Sequence, residues 1–299
     1  MKILVTGGAG FIGTHLLRRL LPLGHELAVL DNFLPQVHGG VRMLPADLAP
    51  YVQVVDGDVA DENIFATALA GAEAVVHLAA ETGTGQSMYE VARYGRTNMQ
   101  GVALLYEVLA KSRGHRVGRI VVASSRAIYG EGAYACAHHG VVYPVSRSAA
   151  EKRRGEFDPL CPLCGGACHS VPTPESAPMQ PSSFYGLTKQ VQEQTVLLFG
   201  RTLGIPSVAL RYQNVYGPGQ SLKNPYTGIL AIFSNLARVG STLKVFEDGL
   251  ESRDFVYVED VVDATVKSLL QPLEDSVALN VGSGERTSIQ QVAELTNEF

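Results

Sequence analysis

The residues best suited to catalysis are a tyrosine and a lysine four positions apart, with a serine upstream. Tyr185 and Lys189 open a stretch, 185–203, that predicts a helix, and residues four apart share one helical face. A phenol with a pKa of about 10 is a poor base at neutral pH, but a neighbouring ammonium favours the phenolate. Ser125, at the end of a predicted strand, can hydrogen-bond the same substrate oxygen. Together they predict proton transfer to and from a substrate hydroxyl, whereas Tyr185 and Lys189 alone could be a surface pair.

A glycine-rich loop at the start of the chain predicts a phosphate-binding site. Residues 1–5 form an apolar stretch typical of a strand, and a helix is expected from about residue 14. Between them, Gly7 permits a tight turn, Gly10 lets the backbone approach a phosphate, and Gly13 allows close helix packing. Free backbone N–H groups at the helix start then attract a dinucleotide pyrophosphate. The loop residues assigned to this cofactor are Gly7, Gly10, Phe11, Ile12 and Gly13.

An acidic residue after the second predicted strand, 25–30, indicates which dinucleotide binds. Asp31 lies about twenty residues beyond the loop, where a carboxylate accepts hydrogen bonds from the adenosine ribose and repels a 2′-phosphate. NAD is therefore expected rather than NADP, with Asn32 beside the ribose. Three basic residues whose positions the sequence does not fix keep NADP open, namely Arg18, Arg19 and Arg42.

Further strand ends supply the rest of the predicted cofactor site. A third strand, 52–55, is followed by Asp58 and Val59, which we expect near the adenine, although Asp58 could instead cap a turn or helix. Strands at 74–78 and 119–123 alternate with helices at 62–69 and 97–110. This alternation predicts an α/β fold, a Rossmann-type doubly wound parallel sheet that binds ligands at the carboxyl ends of its strands. The residues expected there are Leu78, Ala79, Ala80 and Ser124.

Length and charge narrow the class of protein. A chain of 299 residues can form two lobes around a cleft, and a net charge of −5 offers no polycationic surface for nucleic acid. No apolar run approaches membrane-spanning length, and the first residues lack a charged leader, so a soluble cytoplasmic protein is expected. We predict an NAD-binding Rossmann domain (1–130 and 181–212), an insertion (131–180) and a smaller C-terminal substrate-binding lobe (213–299).

The insertion contains all four cysteines of the chain. Two short turns, one with Cys136 and His139 and one with Cys161 and Cys164, have the spacing of a zinc ribbon with four tetrahedral ligands. Disulfides are not expected in a reducing cytoplasm. Two alternatives remain open. One is a metal-free surface loop, and the other is a ligand set made of Cys161, Cys164, Cys168 and His169.

Motifs along nearly the whole chain resemble one protein family. TGGAGFIG, HLAA, TN before Gly101, SSRAIYG, YGLTK, RYQNVYGPGQ, RDFVYVEDV and NVGSG are similar to the extended short-chain dehydrogenases/reductases, specifically the NAD-dependent nucleotide-sugar epimerases and dehydratases. The resemblance implies that Ser125 and Tyr185 are the catalytic hydroxyls, with Ser124 beside them. It also implies that Lys189 binds the nicotinamide ribose and that Asn98 supports this lysine through a water. Asn214 and Arg253 match positions that contact the substrate pyrophosphate, although Asn214 could instead stabilise a turn.

The residues after Ser125 separate the reactions of this family. Sugar 4,6-dehydratases have an acidic pair there, whereas this chain has Arg126, assigned to the substrate site, and Ala127. The resemblance therefore favours 4-epimerisation through a transient 4-keto sugar, with reduction of a 4-keto-6-deoxyhexose as the alternative. Asp31 favours epimerisation, because a closed hydride cycle suits tightly held NAD. A catalytically silent NAD-binding interaction protein is a more distant reading.

Two further expectations come from the same resemblance. The insertion and the segment 221–228 are similar to those of epimerases acting on dTDP-6-deoxyhexoses of the dTDP-L-rhamnose type, which implies such a substrate. Family members pair two helices in a four-helix bundle, which implies a homodimer. The apolar residues of these helices could form either a core or that interface, namely Val102, Leu105, Leu109 and Val196.

Overall fold

A seven-stranded parallel sheet forms the centre of the molecule. The computed structural model describes residues 1–112, 114–222, 224, 226 and 228–298. The strands in chain order are β1 (Lys2–Thr6), β2 (Glu26–Asp31), β3 (Val52–Asp56), β4 (Ala74–His77), β5 (Arg119–Ser125), β6 (Tyr134–Cys136), β7 (Gly140–Val142), β8 (Cys168–Ser170), β9 (Ser207–Tyr212), β10 (Asn214–Tyr216), β11 (Ser252–Arg253), β12 (Phe255–Tyr257), β13 (Val277–Val281) and β14 (Thr287–Ser288). The order in the central sheet is β3-β2-β1-β4-β5-β9-β13.

Helices cover both faces of this sheet, because its short apolar strands must be buried on both sides. The helices are α1 (Phe11–Leu20), α2 (Pro35–His38), α3 (Glu62–Leu69), α4 (Val91–Tyr94), α5 (Gly101–Lys111), α6 (Ala149–Arg153), α7 (Phe184–Leu203), α8 (Ile229–Arg238), α9 (Val258–Leu270) and α10 (Ile289–Asn297). One core cluster joins the sheet to α1 and α9, and the other joins it to α3, α5 and α7. The predicted doubly wound α/β sheet is confirmed.

Two helix starts differ from the sequence-based expectation. The helix expected from about residue 14 begins at Phe11, because Gly10 has an extended conformation and serves as its N-cap. The helix expected over 97–110 is not uniform. It begins with a π-helical segment, Gly95–Gln100, and continues as α5. Such π-helical turns often lie at functional sites, and this one adjoins the cleft described below.

The C-terminal segment 213–299 contributes to both halves of the molecule. Two-stranded ladders, β10 with β12 and β11 with β14, form a small lobe with α8 and α10. However, β13 joins the central sheet beside β9, and α9 packs against α1. Part of the segment 213–299 therefore packs with the central sheet, and the predicted three-part division of the chain stays a proposal.

Some predicted features lie in the core or outside the described residues. Val102, Leu105, Leu109 and Val196 are at most 2% exposed and belong to the core cluster of α5 and α7. Lys223, Pro225 and Thr227, within the predicted substrate segment 221–228, lie outside the described residues. Among the helices described, none is both long enough and apolar enough to cross a membrane.

Candidate active site

A cleft of about 1060 Å³ lies at the carboxyl ends of the sheet strands, between the sheet and the C-terminal lobe. Ligands bind at this edge in doubly wound sheets. The cleft brings together most of the residues predicted for the site. Those that line it are Gly7, Gly10, Phe11, Ile12, Gly13, Asp31, Asn32, Val59, Leu78, Ala79, Ala80, Ser124, Ser125, Arg126, Tyr185, Lys189, Asn214 and Arg253.

The glycine loop at one end of the cleft has the shape that a dinucleotide phosphate requires. Gly7 has a φ of +67°, and a Cβ there would lie 2.7 Å from the backbone nitrogen of Ala79. A Cβ on Gly13 would lie 2.6 Å from Gly8, so only glycine allows α1 to pack this closely. The N-cap Gly10 has no side chain to cap the first turn of α1, and that turn has no acidic residue. The helix start is therefore suited to an anion.

Asp31 lies at the carboxyl end of β2 on the wall of the cleft. Its two carboxylate oxygens accept hydrogen bonds from the backbone N–H groups of Ala9 and Phe33, at 3.0 and 2.9 Å. The carboxylate is thus held against the glycine loop, where a ribose would follow a pyrophosphate. The three basic residues that could have favoured NADP each form an ion pair with an aspartate. These pairs are Arg18 with Asp47, Arg19 with Asp263, and Arg42 with Asp56.

Two of the predicted cofactor residues do not line the cleft. Asp58 accepts a hydrogen bond from the backbone N–H of Ala60 at 2.9 Å, which is the turn-capping alternative. Asn98 is fully buried and donates to the hydroxyl of Thr188 at 3.0 Å and to the carbonyl of Glu81 at 3.1 Å. It therefore braces α7 at the residue next to Lys189, while its neighbour Thr97 faces the cleft.

Close backbone packing brings Tyr185 and Ser125 into one place. Ser125 ends β5 and caps a 3₁₀ turn, Arg126–Tyr129, by accepting a hydrogen bond from Ala127 N–H at 3.1 Å. A Cβ on Gly186 would lie 2.6 Å from the Ala127 carbonyl oxygen. The start of α7 can therefore approach this turn only because residue 186 is glycine. Tyr185 is half-buried there, and both Tyr185 and Ser125 line the cleft.

Lys189 lies one turn further along α7, 3% exposed. Its Nζ donates to the Ala123 carbonyl at 2.8 Å and to Gln192 Oε1 at 2.9 Å, and it is 6.0 Å from the centroid of the Tyr185 ring. Burial lowers the pKa of Lys189 to about 7.

His77, at the end of β4, is also buried. Its burial, together with the nearby charge of Lys189, lowers the pKa of His77 to about 3. His77 is therefore neutral at physiological pH, and within the described part of the chain its ring forms one hydrogen bond, with the Thr6 hydroxyl at 2.8 Å.

The ionisation of Tyr185 depends on what occupies the cleft. Burial raises the pKa of this phenol, while the neighbouring Ser125 hydroxyl and the positive charge of Arg126 lower it. Burial has the largest effect, so Tyr185 is a neutral phenol at physiological pH unless a cation lies beside it. A positively charged group placed beside the phenol would favour the phenolate. The oxidised nicotinamide of NAD is such a group.

Sequence reasoning missed a buried ion pair beneath Ser125, Tyr185 and Lys189. Glu193 is fully buried and accepts a hydrogen bond of 2.6 Å from Ser124, so the Ser124 hydroxyl proton is directed to this carboxylate. Arg211 on β9 donates to the same carboxylate at 2.6 Å. Glu193 is four residues beyond Lys189, so helix spacing places it on the Lys189 face of α7. Its partner Arg211, within the RYQNVYGPGQ motif, is brought to it only by packing of the sheet.

The opposite wall of the cleft is positively charged. Arg126 and Arg253 both line it, and burial together with the charge of Arg253 lowers the pKa of Arg126 to about 10. Arg253 donates to the carboxylate of Glu251 and to the carbonyl of Ser252. Asn214, at the start of β10, lines the same region. Two guanidinium groups close to each other suit a diphosphate, which carries charge that compensates both.

The fold and the cleft together define a class of protein. A Rossmann-type sheet, a glycine loop with an acidic residue after the second strand, and a Ser/Tyr/Lys group opposite that loop are the features of short-chain dehydrogenases/reductases. A comparison of the sequence with models of known protein families agrees with this class. The model of the NAD dependent epimerase/dehydratase family matches residues 3–156 and 164–282. The chain therefore belongs to this family and is an NAD-dependent enzyme, as its motifs predict.

Individual relatives cover nearly the whole chain. The chain is 41% identical over 298 residues to dTDP-L-rhamnose 4-epimerase of Burkholderia thailandensis, covering 98% of this chain and 80% of that protein. The structure of UDP-glucose 4-epimerase with UDP-glucose from Thermotoga maritima superposes with a TM-score of 0.78, at 30% identity over 100% of this chain and 82% of the other. The Thermus thermophilus UDP-glucose 4-epimerase complex with NAD gives a TM-score of 0.75, at 29% identity over 100% and 83%.

Proposed function

We propose that this protein catalyses NAD-dependent 4-epimerisation of a nucleotide sugar, and that its substrate is a dTDP-6-deoxyhexose of the dTDP-L-rhamnose type. The observation that carries the reaction is the meeting of Ser125, Tyr185 and Lys189 in the cleft, with Arg126 and Ala127 where removal of water would need acids. The 41% identity to a dTDP-L-rhamnose 4-epimerase supports the choice of sugar.

Each of the three residues has a defined task in this proposal. Tyr185 takes the proton of the sugar 4-hydroxyl as the C4 hydride leaves, and returns it after the 4-keto sugar has turned over in the cleft. Ser125 donates a hydrogen bond to the same oxygen and limits its movement. The buried ammonium of Lys189 favours the phenolate of Tyr185. NAD, when bound at the glycine loop and Asp31, supplies the acceptor and donor of hydride.

The substrate diphosphate is assigned to the positive wall of the cleft. Arg126 and Arg253 would each contact phosphate oxygens, and Asn214 would donate to one of them. The turn Arg126–Tyr129 follows directly on Ser125, so diphosphate binding also positions the catalytic hydroxyl. The residues predicted to bind metal in the insertion do not line the described cleft, so metal has no part in this reaction scheme.

The direct test follows the hydrogen at C4. The protein is incubated with NAD and dTDP-L-rhamnose carrying deuterium at C4, without added reductant, and the products are identified by NMR. We expect the C4 epimer, with deuterium retained. Turnover of only UDP- or GDP-sugars in a parallel panel would show that the substrate assignment is wrong.

The same experiment separates the alternatives. Conversion of a dTDP-4-keto-6-deoxyhexose only when reduced nicotinamide is added would identify a reductase instead. Absence of turnover with every sugar, combined with NAD binding, would favour the catalytically silent protein. The intact Ser125, Tyr185 and Lys189 group argues against that outcome.

We also propose that the protein forms a homodimer through the outer face of α7. The interface residues named from the sequence are buried in the core, but Leu187 and Leu198 project from this helix at 42% and 60% exposure. Replacing Leu198 with glutamate should give monomers by light scattering during size-exclusion chromatography. A monomeric unmodified protein would refute the proposal. A cytoplasmic location likewise stays a prediction.

A further inference from the structure

The insertion (131–180) has too small an apolar core to explain its ordered fold. Its sheet consists of three short strands in the order β7-β6-β8, each three residues long. The buried residues of its core cluster are Cys136, Val142 and Cys161, so two of the three are cysteines. A unit of this size normally needs a cross-link or a bound metal.

Two turns with the same construction meet at the end of this sheet. In one, Cys136 and His139 are followed by Gly140 with a φ of +65°. In the other, Cys161 and Cys164 are followed by Gly165 with a φ of +68°. Both turns place their first ligand candidate in the core and their second at the surface. The four ligand atoms all lie within 4.8 Å of one another, and we call these residues the thiol–imidazole cluster.

The distances within the cluster can be compared with those around a tetrahedral zinc ion. Zinc–sulfur bonds of about 2.3 Å and zinc–nitrogen bonds of about 2.05 Å place two sulfurs about 3.8 Å apart, and a sulfur and a nitrogen about 3.6 Å apart. Cys136 Sγ lies 3.8 Å from Cys164 Sγ. His139 Nδ1 lies 3.6 Å from Cys136 Sγ and 3.6 Å from Cys161 Sγ. All three separations fit a shared metal ion.

The structure does not assemble the rival ligand set. Cys168 is directed to the Pro159 carbonyl, to which its Sγ donates at 3.0 Å. His169, the next residue in β8, is exposed and points to the opposite face of the strand, because strand side chains alternate. All four cysteines are free thiols, so no disulfide competes with a metal.

We propose that the thiol–imidazole cluster binds one structural zinc ion through Cys136, His139, Cys161 and Cys164. Four protein ligands complete a tetrahedral site and leave no position for an activated water. The metal supplies the folding energy that the small apolar core lacks, as in other small zinc-binding units. Ligand binding releases the thiol protons, and no electron transfer takes place.

The position of the insertion gives the metal an indirect effect on the active site. β6 begins nine residues after Ser125, and Ala133 N–H donates to the Thr173 hydroxyl at 2.9 Å. Gln180 N–H, at the end of the insertion, donates at 2.9 Å to the carbonyl of Ile128 in the turn that follows Ser125. Loss of the metal should therefore loosen the sugar side of the cleft and leave the glycine loop unchanged.

The test measures metal in the full-length protein, purified without chelator or a metal-affinity tag. We expect about one zinc per chain by elemental analysis. Cys161→Ser should lose stoichiometric zinc, whereas Cys168→Ser, the matched control in the same lobe, should keep it. His139→Ala should weaken zinc affinity at least tenfold, and His138→Ala should leave it unchanged. Because His139 is exposed, its variant tests the site even where Cys161→Ser fails to fold.

Two further readouts follow removal of the metal, and the first of them does not depend on catalysis. Removing zinc with a chelator should speed proteolysis within 131–180, and added zinc should reverse the effect. Chelation should also raise the apparent KM for the sugar more than it weakens NAD binding. Well under one zinc per chain in the unmodified protein, or equal zinc loss in Cys168→Ser and Cys161→Ser, would overturn the proposal.

Discussion

The buried ion pair between Glu193 and Arg211 gives the sharpest prediction about stability. The Glu193 side chain is fully buried, the Arg211 side chain is 4% exposed, and two guanidinium nitrogens of Arg211 donate to the carboxylate at 2.6 to 3.2 Å. Ser124 is the third donor to this carboxylate. Glu193→Gln keeps the shape of the side chain but removes its charge and places an amide N–H₂ group against donors. Arg211 is then a buried cation without its counter-ion.

The magnitude follows from the contacts that remain. Removing one partner of a buried ion pair typically costs about 3–5 kcal/mol. Arg211 keeps hydrogen bonds to the Tyr129 hydroxyl and the Glu175 carbonyl, which partly compensate its charge. We therefore expect a loss at the lower end, about 3 kcal/mol of the free energy of unfolding. Ser124→Ala removes one hydrogen bond and no charge, and should cost about 1 kcal/mol.

The assay is urea unfolding of the cofactor-free protein, followed by circular dichroism at constant pH. A double variant, Glu193→Leu with Arg211→Met, removes both charges and should be more stable than Glu193→Gln alone, because no unpaired charge is left buried. A Glu193→Gln variant within about 0.5 kcal/mol of the unmodified protein, or a double variant less stable than the single one, would refute this reasoning.

Three further predictions concern the active site. Tyr185→Phe should leave the fold and NAD binding intact and lower turnover at least about a hundredfold in the C4 assay; near-normal turnover would exclude Tyr185 as the base. Asp31→Ala should narrow the preference for NAD over NADP in binding titrations, and equal binding of both by the unmodified protein would remove the basis for this expectation. In the cofactor-free protein, burial lowers the pKa of Lys189 to about 7, while the unfolded chain holds that proton up to about pH 10.4. The free energy of unfolding should therefore rise with pH between these values, by up to about 1.4 kcal/mol per pH unit. Lys189→Met should remove this rise, whereas Lys152→Met, a control at an exposed site, should retain it.

Local spacing in the sequence was sufficient where a feature is built from neighbouring residues. The glycine loop is one strand, one turn and one helix start, so Gly7, Gly10 and Gly13 indicate it without any knowledge of the rest of the fold. Helical periodicity placed Tyr185 and Lys189 on one face of α7. The family motifs fixed the order of these elements, and the short spacing within each cysteine turn indicated a metal site.

Tertiary structure decided what depends on contacts between distant segments. The pairing of Glu193 with Arg211, the return of β13 to the sheet beside β9, and the meeting of Cys136 and His139 with Cys161 and Cys164 join segments far apart in the chain. The sequence also left the direction of single side chains undetermined. Asp58 caps a turn and Asn98 braces α7, although their chain neighbours Val59 and Thr97 line the cleft. Spacing fixes which residues share an element. How elements pack depends on burial of apolar surface and pairing of buried polar groups over the whole chain.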